Sequence, residues 1–231
     1  MKVKQAFILC GGKGERLKPL TDDLPKPMVD VKGKPMLLNL VEYLAGFGVK
    51  KFVFATGYRA EKIKEFFGDG KKFGVEIKYS HETTALGTGG ALKNAKLLLD
   101  KSFFMLNGDN LSDVDLEKME KAHFTKNAAA TIALVNVRET KNYGIARLEG
   151  DKIKEFVEKP PENKAPSRWA NAGLYIMENS CIGLLPDGFC MVEKTLFPAL
   201  AKHGKLFGFR HEGKWFPTDT IEKLEEARKK Y

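Results

Sequence analysis

Between Cys10 and Thr21 the chain reads Cys10-Gly11-Gly12-Lys13-Gly14-Glu15-Arg16-Leu17-Lys18-Pro19-Leu20-Thr21, and Leu24-Pro25-Lys26-Pro27-Met28 follows closely. Three glycines let the backbone approach a ligand that side chains would block, and they leave N–H groups to face anionic oxygens. Arg16 and Lys26 add fixed positive charge at two separated points of the same segment. Lys26 lies between two prolines that hold the backbone extended and aim its side chain. A glycine turn flanked by two spaced cations suits a nucleoside triphosphate. The P-loop spacing Gly-x-x-x-x-Gly-Lys-Ser/Thr is absent, and Leu17 stands where a dinucleotide-binding turn has its third glycine.

Other segments carry chemistry of matching kinds. Asp109 follows the apolar run Phe103–Leu106 within Asn107-Gly108-Asp109-Asn110, where its carboxylate serves either as a ligand for a divalent cation or as turn chemistry. The run from Thr83 to Ala91 is rich in small residues and leads into a helix. A flat base would lie against its backbone, with the Gly87 N–H facing a carbonyl oxygen. Glu158-Lys159, taken alone, is indistinguishable from a solvated charge pair. Asp219 reads two ways: as a metal carboxylate, or, with Glu222 three residues later and Leu224 beyond it, as the N-cap of a closing helix.

From Gly11 to Met28 the chain resembles the signature of the sugar-1-phosphate nucleotidylyltransferases, also called nucleotide-sugar pyrophosphorylases. That signature is Gly-Gly-x-Gly-x-Arg-Leu-x-Pro-Leu-Thr followed by Pro-Lys-Pro, and Glu15 stands where Thr is common. Leu86-Gly87-Thr88-Gly89-Gly90, Tyr143-Gly144, Phe156-Val157-Glu158-Lys159-Pro160 and Asn171-Ala172-Gly173 resemble later elements of the family, in its order. The resemblance covers nearly all of the chain. It implies in-line attack of a sugar 1-phosphate oxygen on the α-phosphorus of a nucleoside triphosphate, with pyrophosphate leaving. The attacking phosphate is already ionised near neutral pH. Catalysis then reduces to assembling anions and offsetting their charge, which calls for cations, Mg²⁺ and carboxylates to hold it.

By this resemblance Arg16, Lys26 and Asp109 form the catalytic set, and Asp109 and Asp219 hold the metal. Leu9, Gly11, Gly12, Gly14, Glu82, Gly87 and Thr88 contact the nucleotide, while Gly144, Glu158, Lys159 and Asn171 contact the sugar phosphate. One departure stands out: the family usually closes its site with Trp-x-Asp-x-Gly-Thr, whereas Trp215-Phe216-Pro217-Thr218-Asp219-Thr220 has Pro217 in the aspartate's place. Asp219 is then the replacement ligand. Glu82 occupies the base-reading position, and a carboxylate there accepts two hydrogen bonds from the N1–H and N2–H₂ edge of guanine. The run Gly57–Ile63 through Gly68-Asp69-Gly70 most resembles short enzymes that use GTP with mannose or manno-heptose 1-phosphate. Uridylyl, cytidylyl or thymidylyl transfer is the alternative among activities of the family, and a catalytically silent nucleotide-sugar-sensing regulatory subunit is the alternative of another functional class.

Bulk properties fit an enzyme of this kind. The 231 residues suffice for one large α/β domain, and the composition, 43% hydrophobic and 30% charged, is that of a globular protein. No apolar stretch is long enough to span a bilayer, and Met1-Lys2-Val3-Lys4 lacks signal-peptide character, so a cytoplasmic location without membrane contact is expected. Three scattered cysteines give no zinc or disulfide pattern. The net charge of +9 comes from lysines spread through the chain, many beside glutamates, which argues for a solvated surface that attracts polyanionic nucleotides rather than a nucleic-acid face.

The site residues need a scaffold, and the first half supplies strand and helix periods in alternation. Apolar runs at 6–9, 52–56, 75–79 and 103–106 predict strands; Leu37, Leu40, Val41 and Leu44, and likewise Leu92, Ala95 and Leu99, fall on helical faces. Alternation of this kind predicts a Rossmann-like α/β fold with a mixed, mainly parallel sheet flanked by helices, of the nucleotide-diphospho-sugar transferase type. Strands at 128–137, 145–149, 153–157, 172–177 and 206–209, then a charged helix over 220–231, make the second half the smaller, β-rich, sugar-binding part. The expected organisation is a single domain over 1–231, its nucleotide half at about 1–110 and its sugar half at about 111–231. A homo-oligomer is left open.

Overall fold

Four of the five residues of the first strand, β1 (Gln5–Leu9), are buried, as a strand at the centre of a covered sheet requires. In the computed structural model, which describes residues 1–231, β1 runs into the glycine loop and then a short hairpin, β2 (Asp30–Val31) and β3 (Lys34–Pro35). There follow helix α1 (Met36–Gly46), β4 (Lys51–Thr56), α2 (Ala60–Phe67), β5 (Glu76–His81), α3 (Gly87–Asn94) and β6 (Ser102–Asn107). β5, β4, β1 and β6 lie side by side and parallel.

The second half continues with β7 (Asn110–Ser112), α4 (Leu116–Thr125), β8 (Ala130–Asn136), β9 (Gly144–Glu149), β10 (Lys152–Glu158) and β11 (Trp169–Glu178), then α5 (Leu196–Lys202), β12 (Leu206–Arg210), β13 (Trp215–Pro217) and α6 (Ile221–Lys230). The sheet extends without interruption to nine strands, β5-β4-β1-β6-β11-β8-β12-β10-β9. β11 joins antiparallel to both β6 and β8, and β8 pairs parallel with β12. The parallel character therefore belongs mainly to the first half, and the mixed character comes from the second. β9 and β10 form the predicted hairpin, and β9 also pairs antiparallel with Trp169 and Ala170 of β11, which closes that end of the sheet.

Alternation of side chains along the strands divides the interior into two cores. Ala6 and Ile8 of β1 and Phe104 and Leu106 of β6 point to one face, where α1, α2, α4 and α6 pack. Phe7, Phe103 and Met105 point to the other, against α3 and α5. α1 buries Leu37, Leu40, Val41 and Leu44, the face its sequence period predicts. α3 differs from expectation: it ends at Asn94, before Ala95 and Leu99, and a 3₁₀ turn over Lys96–Leu98 carries the chain onward. Ala95 and Leu99 are buried all the same. No helix is long and apolar enough to cross a membrane.

Two details at the carboxyl edge of the parallel strands position the site. β7 and β13 form a separate ribbon that pairs Pro217 with Asn110. It brings the C-terminal segment onto the turn after β6, where the Thr218 N–H donates to the Asp109 carbonyl at 3.0 Å and its hydroxyl to the same oxygen at 2.9 Å. In β11 the pairing with β8 shifts register between Asn171 and Tyr175, which bends the strand where Asn171 faces the site.

Candidate active site

Three adjoining cavities open along that edge, and Asp109 lines all of them. The first, of ≈ 390 Å³, is walled by Leu9, Gly11, Gly12, Glu82, Gly87 and Thr88 together with Ala85, Leu86 and Asn107. The second, of ≈ 200 Å³, holds Gly144, Glu158, Lys159 and Asn171 with Arg16 and Asp219. The third, of ≈ 530 Å³, holds Gly12, Gly14, Arg16, Lys26 and Asp219. Every site residue expected from sequence thus lies on one of three connected hollows.

The loop after β1 closes back on Lys26. Gly14 sits at φ +66°, and a Cβ there would stand 2.9 Å from Cβ of Lys26, so the loop cannot curl this tightly with a larger residue. The Thr21 hydroxyl donates to the Gly14 carbonyl at 2.9 Å and fixes the curl. Lys26 is nearly buried, and its Nζ donates to Oδ2 of Asp109 at 2.6 Å.

Asp219 is held from both sides. Oδ2 accepts from the largely exposed Arg16 at 2.7 Å, and Oδ1 accepts from Lys223 at 2.8 Å. Burial pushes the Asp219 carboxyl up, but the hydrogen bond from Lys223 and the charges of Lys223, Arg16 and Lys26 outweigh it and leave it below the ordinary carboxylate range. Its reading as a helix N-cap fails. Thr220 caps α6, its side chain accepting from the Lys223 N–H.

The other carboxylates behave differently. Burial pushes Glu82 up, partly opposed by the Leu86 N–H that donates to its Oε2 at 3.1 Å. Glu158 is raised by burial and by the nearby charge of Glu193. Glu193, itself buried, accepts at 2.6 Å from the Thr88 hydroxyl, which in turn accepts from the Val192 N–H at 3.0 Å. The Thr88 hydroxyl proton is therefore committed to a strut between α3 and Glu193 of the second cavity. Lys159 adopts φ +48° and donates its N–H to the Tyr143 carbonyl at 3.0 Å, placing its ammonium over the second cavity.

Sequence reasoning missed three residues here. Lys223 was signalled only by its i, i+4 spacing from Asp219; it also donates to the Tyr143 hydroxyl at 3.0 Å. Glu193 carries no local signal beyond its charge. Asn107, whose Oδ1 is buried without a partner, lines both the first and second cavities, and its sequence context signals only a turn.

Asp109 and Asp219 supply oxygen donors to one cavity, and no cluster of three or more His, Cys, Asp or Glu side chains is gathered for a metal. Such a donor set fits Mg²⁺, which binds through one or two carboxylates and completes its shell with water and substrate phosphates. It does not fit a zinc cage.

The site thus joins a parallel-sheet half carrying a cationic glycine loop to a carboxylate pair and a second, polar cavity. The chain belongs to the nucleotidyl transferase family, whose model matches residues 5–231. It is 42% identical over 217 residues to the mannose-1-phosphate guanyltransferase of Yarrowia lipolytica, which covers 91% of this chain and 59% of that protein. Identity to the mannose-1-phosphate guanylyltransferase catalytic subunit beta of Drosophila melanogaster is 38%, over 91% of this chain and 58% of that one. The chain thus spans about three fifths of the length of these relatives. Among solved structures, HddC from Yersinia pseudotuberculosis complexed with GMP-PN superposes with a TM-score of 0.83 at 28% identity, covering 99% of both chains. A putative glucose-1-phosphate thymidylyltransferase from Bacillus anthracis gives 0.89 at 25%, covering 97% and 94%.

Proposed function

We propose that the chain transfers a guanylyl group from GTP to mannose 1-phosphate in the presence of Mg²⁺, releasing pyrophosphate and GDP-mannose, as one cytoplasmic domain whose halves, about 1–110 and 111–231, bind the two substrates. The observation that carries this reading is the placement of Asp109 at the meeting point of three cavities, with Lys26 on its carboxylate. The names of the relatives and the carboxylate of Glu82 in the base cavity support guanine as the base.

In the reaction an oxygen of the sugar phosphate forms a bond to the α-phosphorus. The bond from that phosphorus to the bridging oxygen breaks, and its electron pair leaves with pyrophosphate. The glycine-loop N–H groups and Arg16 take the β- and γ-phosphates, and Lys26 takes the α-phosphate where charge grows. Lys159 draws the sugar phosphate, while Glu158 and Asn171 hydrogen-bond sugar hydroxyls. Bound Mg²⁺ would neutralise phosphate charge and align the leaving group. The ion pairs Lys26–Asp109 and Arg16–Asp219 keep these four groups compensated before substrate arrives. On binding, the two cations would exchange their carboxylate partners for phosphate oxygens, leaving Asp109 and Oδ2 of Asp219 as the oxygens that would hold the metal, with Lys223 still on Oδ1 of Asp219.

Pyrophosphate release from each nucleoside triphosphate, with mannose 1-phosphate and Mg²⁺, tests the reading. Release fastest with GTP is expected, with loss on chelation. Tight binding without turnover would replace it with a silent sensor, and preference for UTP, CTP or dTTP would replace the base.

A further inference from the structure

Among the large apolar side chains left exposed, Phe189 alone lines the nucleotide cavity, and it is 68% exposed. It belongs to neither apolar core. A phenyl ring held in water forgoes the stabilisation of burial, so its placement calls for another partner.

The backbone beneath the ring is fixed, although the ring is free. The Cys190 N–H donates to the Leu86 carbonyl at 3.0 Å, and the Cys190 carbonyl accepts from the N–H groups of Gly89 at 2.9 Å and Gly90 at 3.3 Å. A Cβ on Gly90 would lie 2.4 Å from the Gly188 carbonyl oxygen, so only glycine permits this approach. Two residues beyond Cys190, Val192 is tied to Thr88. The loop from the second half is thereby bolted to the first turn of α3, and the ring of Phe189 comes within 3.2 Å of where a Gly87 Cβ would be. A rigid mount beside the base-binding turn, carrying an unpartnered aromatic face, has the form of a stacking platform.

We infer that Phe189 stacks on the base of the bound nucleotide and favours purines, whose larger π-face overlaps the ring more fully. Glu82 reads the edge of the base, and Phe189 covers its face. The assignment rests on the guanylyl reading only for which purine is bound.

Equilibrium binding of GTP, ATP and UTP to the full chain, without sugar phosphate, tests it in the wild type, Phe189→Ala and Phe189→Trp. The alanine variant should keep the wild-type melting temperature, since the side chain is mostly exposed, yet bind GTP and ATP about 5- to 100-fold more weakly. UTP should lose distinctly less. The tryptophan variant should bind GTP at least as tightly as wild type, with fluorescence quenching by GTP beyond any that Trp169 and Trp215 show in the parent. A GTP affinity within about twofold of wild type in Phe189→Ala, or equal losses for GTP and UTP, would overturn the assignment. If the wild-type enzyme turns over UTP or dTTP in preference to GTP, the guanylyl reading fails by itself. The ratio of GTP to UTP losses in the alanine variant still decides the stacking assignment.

Discussion

Asp109 and Glu82 occupy the same cavity, but the proposed reaction assigns them different roles, and their substitutions should separate accordingly. Asparagine at 109 keeps the shape of the side chain and removes the charge that pairs with Lys26 at 2.6 Å and would hold Mg²⁺. Charge stabilisation of the transition state is the larger demand, so kcat should fall by about 100-fold or more while GTP affinity moves only a few-fold. Near-normal turnover would remove Asp109 from the metal site. Glutamine at 82 keeps one good acceptor but exchanges a charged hydrogen bond for a neutral one. The kcat/KM preference for GTP over UTP should drop about 5- to 30-fold. Discrimination left unchanged would contradict the base-reading role. Burial raises the Glu82 carboxyl, so its charged form is lost at a higher pH than an ordinary carboxylate's. KM for GTP in the wild type should therefore begin to rise on acidification before exposed carboxylates titrate, and Glu82→Gln should lack that rise.

Helix α4 is pinned to the sheet by a buried polar link. Nδ1 of His123 lies 2.8 Å from the Thr131 hydroxyl of β8, and Nε2 lies 3.3 Å from Glu178 at the end of β11. Burial lowers the His123 pKa, only partly opposed by the hydrogen bond and charge of Glu178 and the charge of Glu120. A histidine depressed in the folded state contributes stability that is complete above its unfolded pKa of about 6.5 and is lost as pH falls toward the folded value. Thermal melts should therefore weaken on going from pH 7 to 5.5, with a slope of up to about 1.4 kcal/mol per pH unit, and His123→Asn should flatten it. Parallel slopes would refute the link. Elements with strong periods, such as α1 and the strands of the parallel half, were legible from sequence because burial repeats along them. The β7–β13 ribbon was not, because three-residue strands, one of them holding Pro217, show no alternation to read. Nor was the cap of α6: Asp219 and Thr220 are both good capping residues, and only the tertiary pull of Arg16 and Lys223 on Asp219 leaves the cap to Thr220. The glycine loop was legible because its tight curl leaves a mark in residue type: Gly14 sits at positive φ against Lys26, where no larger residue fits. Glu193 and Lys223 act through partners distant in sequence or on another element, Thr88 and Tyr143, and no local pattern encodes such a meeting.

At the scale of the molecule, the net charge is +9, and Arg16, Lys26 and Lys159 line adjoining hollows at one edge of a nine-stranded sheet, where the proposed reaction would bring two polyanions together. The two halves meet across that edge through backbone bonds at Asp109–Thr218 and at Leu86–Cys190, so a ligand that contacts both walls stabilises the whole fold rather than a loop. Linkage sets the size of the effect: a nucleotide at about a hundred times its dissociation constant adds ~2.7 kcal/mol. For a chain of this length that corresponds to a rise in melting temperature of about 5–10 °C. With Mg²⁺ present and each triphosphate at the same concentration, GTP should give the largest rise, ATP a smaller one and UTP the least. Part of each shift should vanish as salt screens the phosphate contacts, whereas the difference between GTP and UTP, which comes from Glu82 and Phe189 rather than from charge on the phosphates, should survive. A shift equal for all triphosphates and abolished by salt would mean that the site binds phosphate alone and has no means of choosing a base.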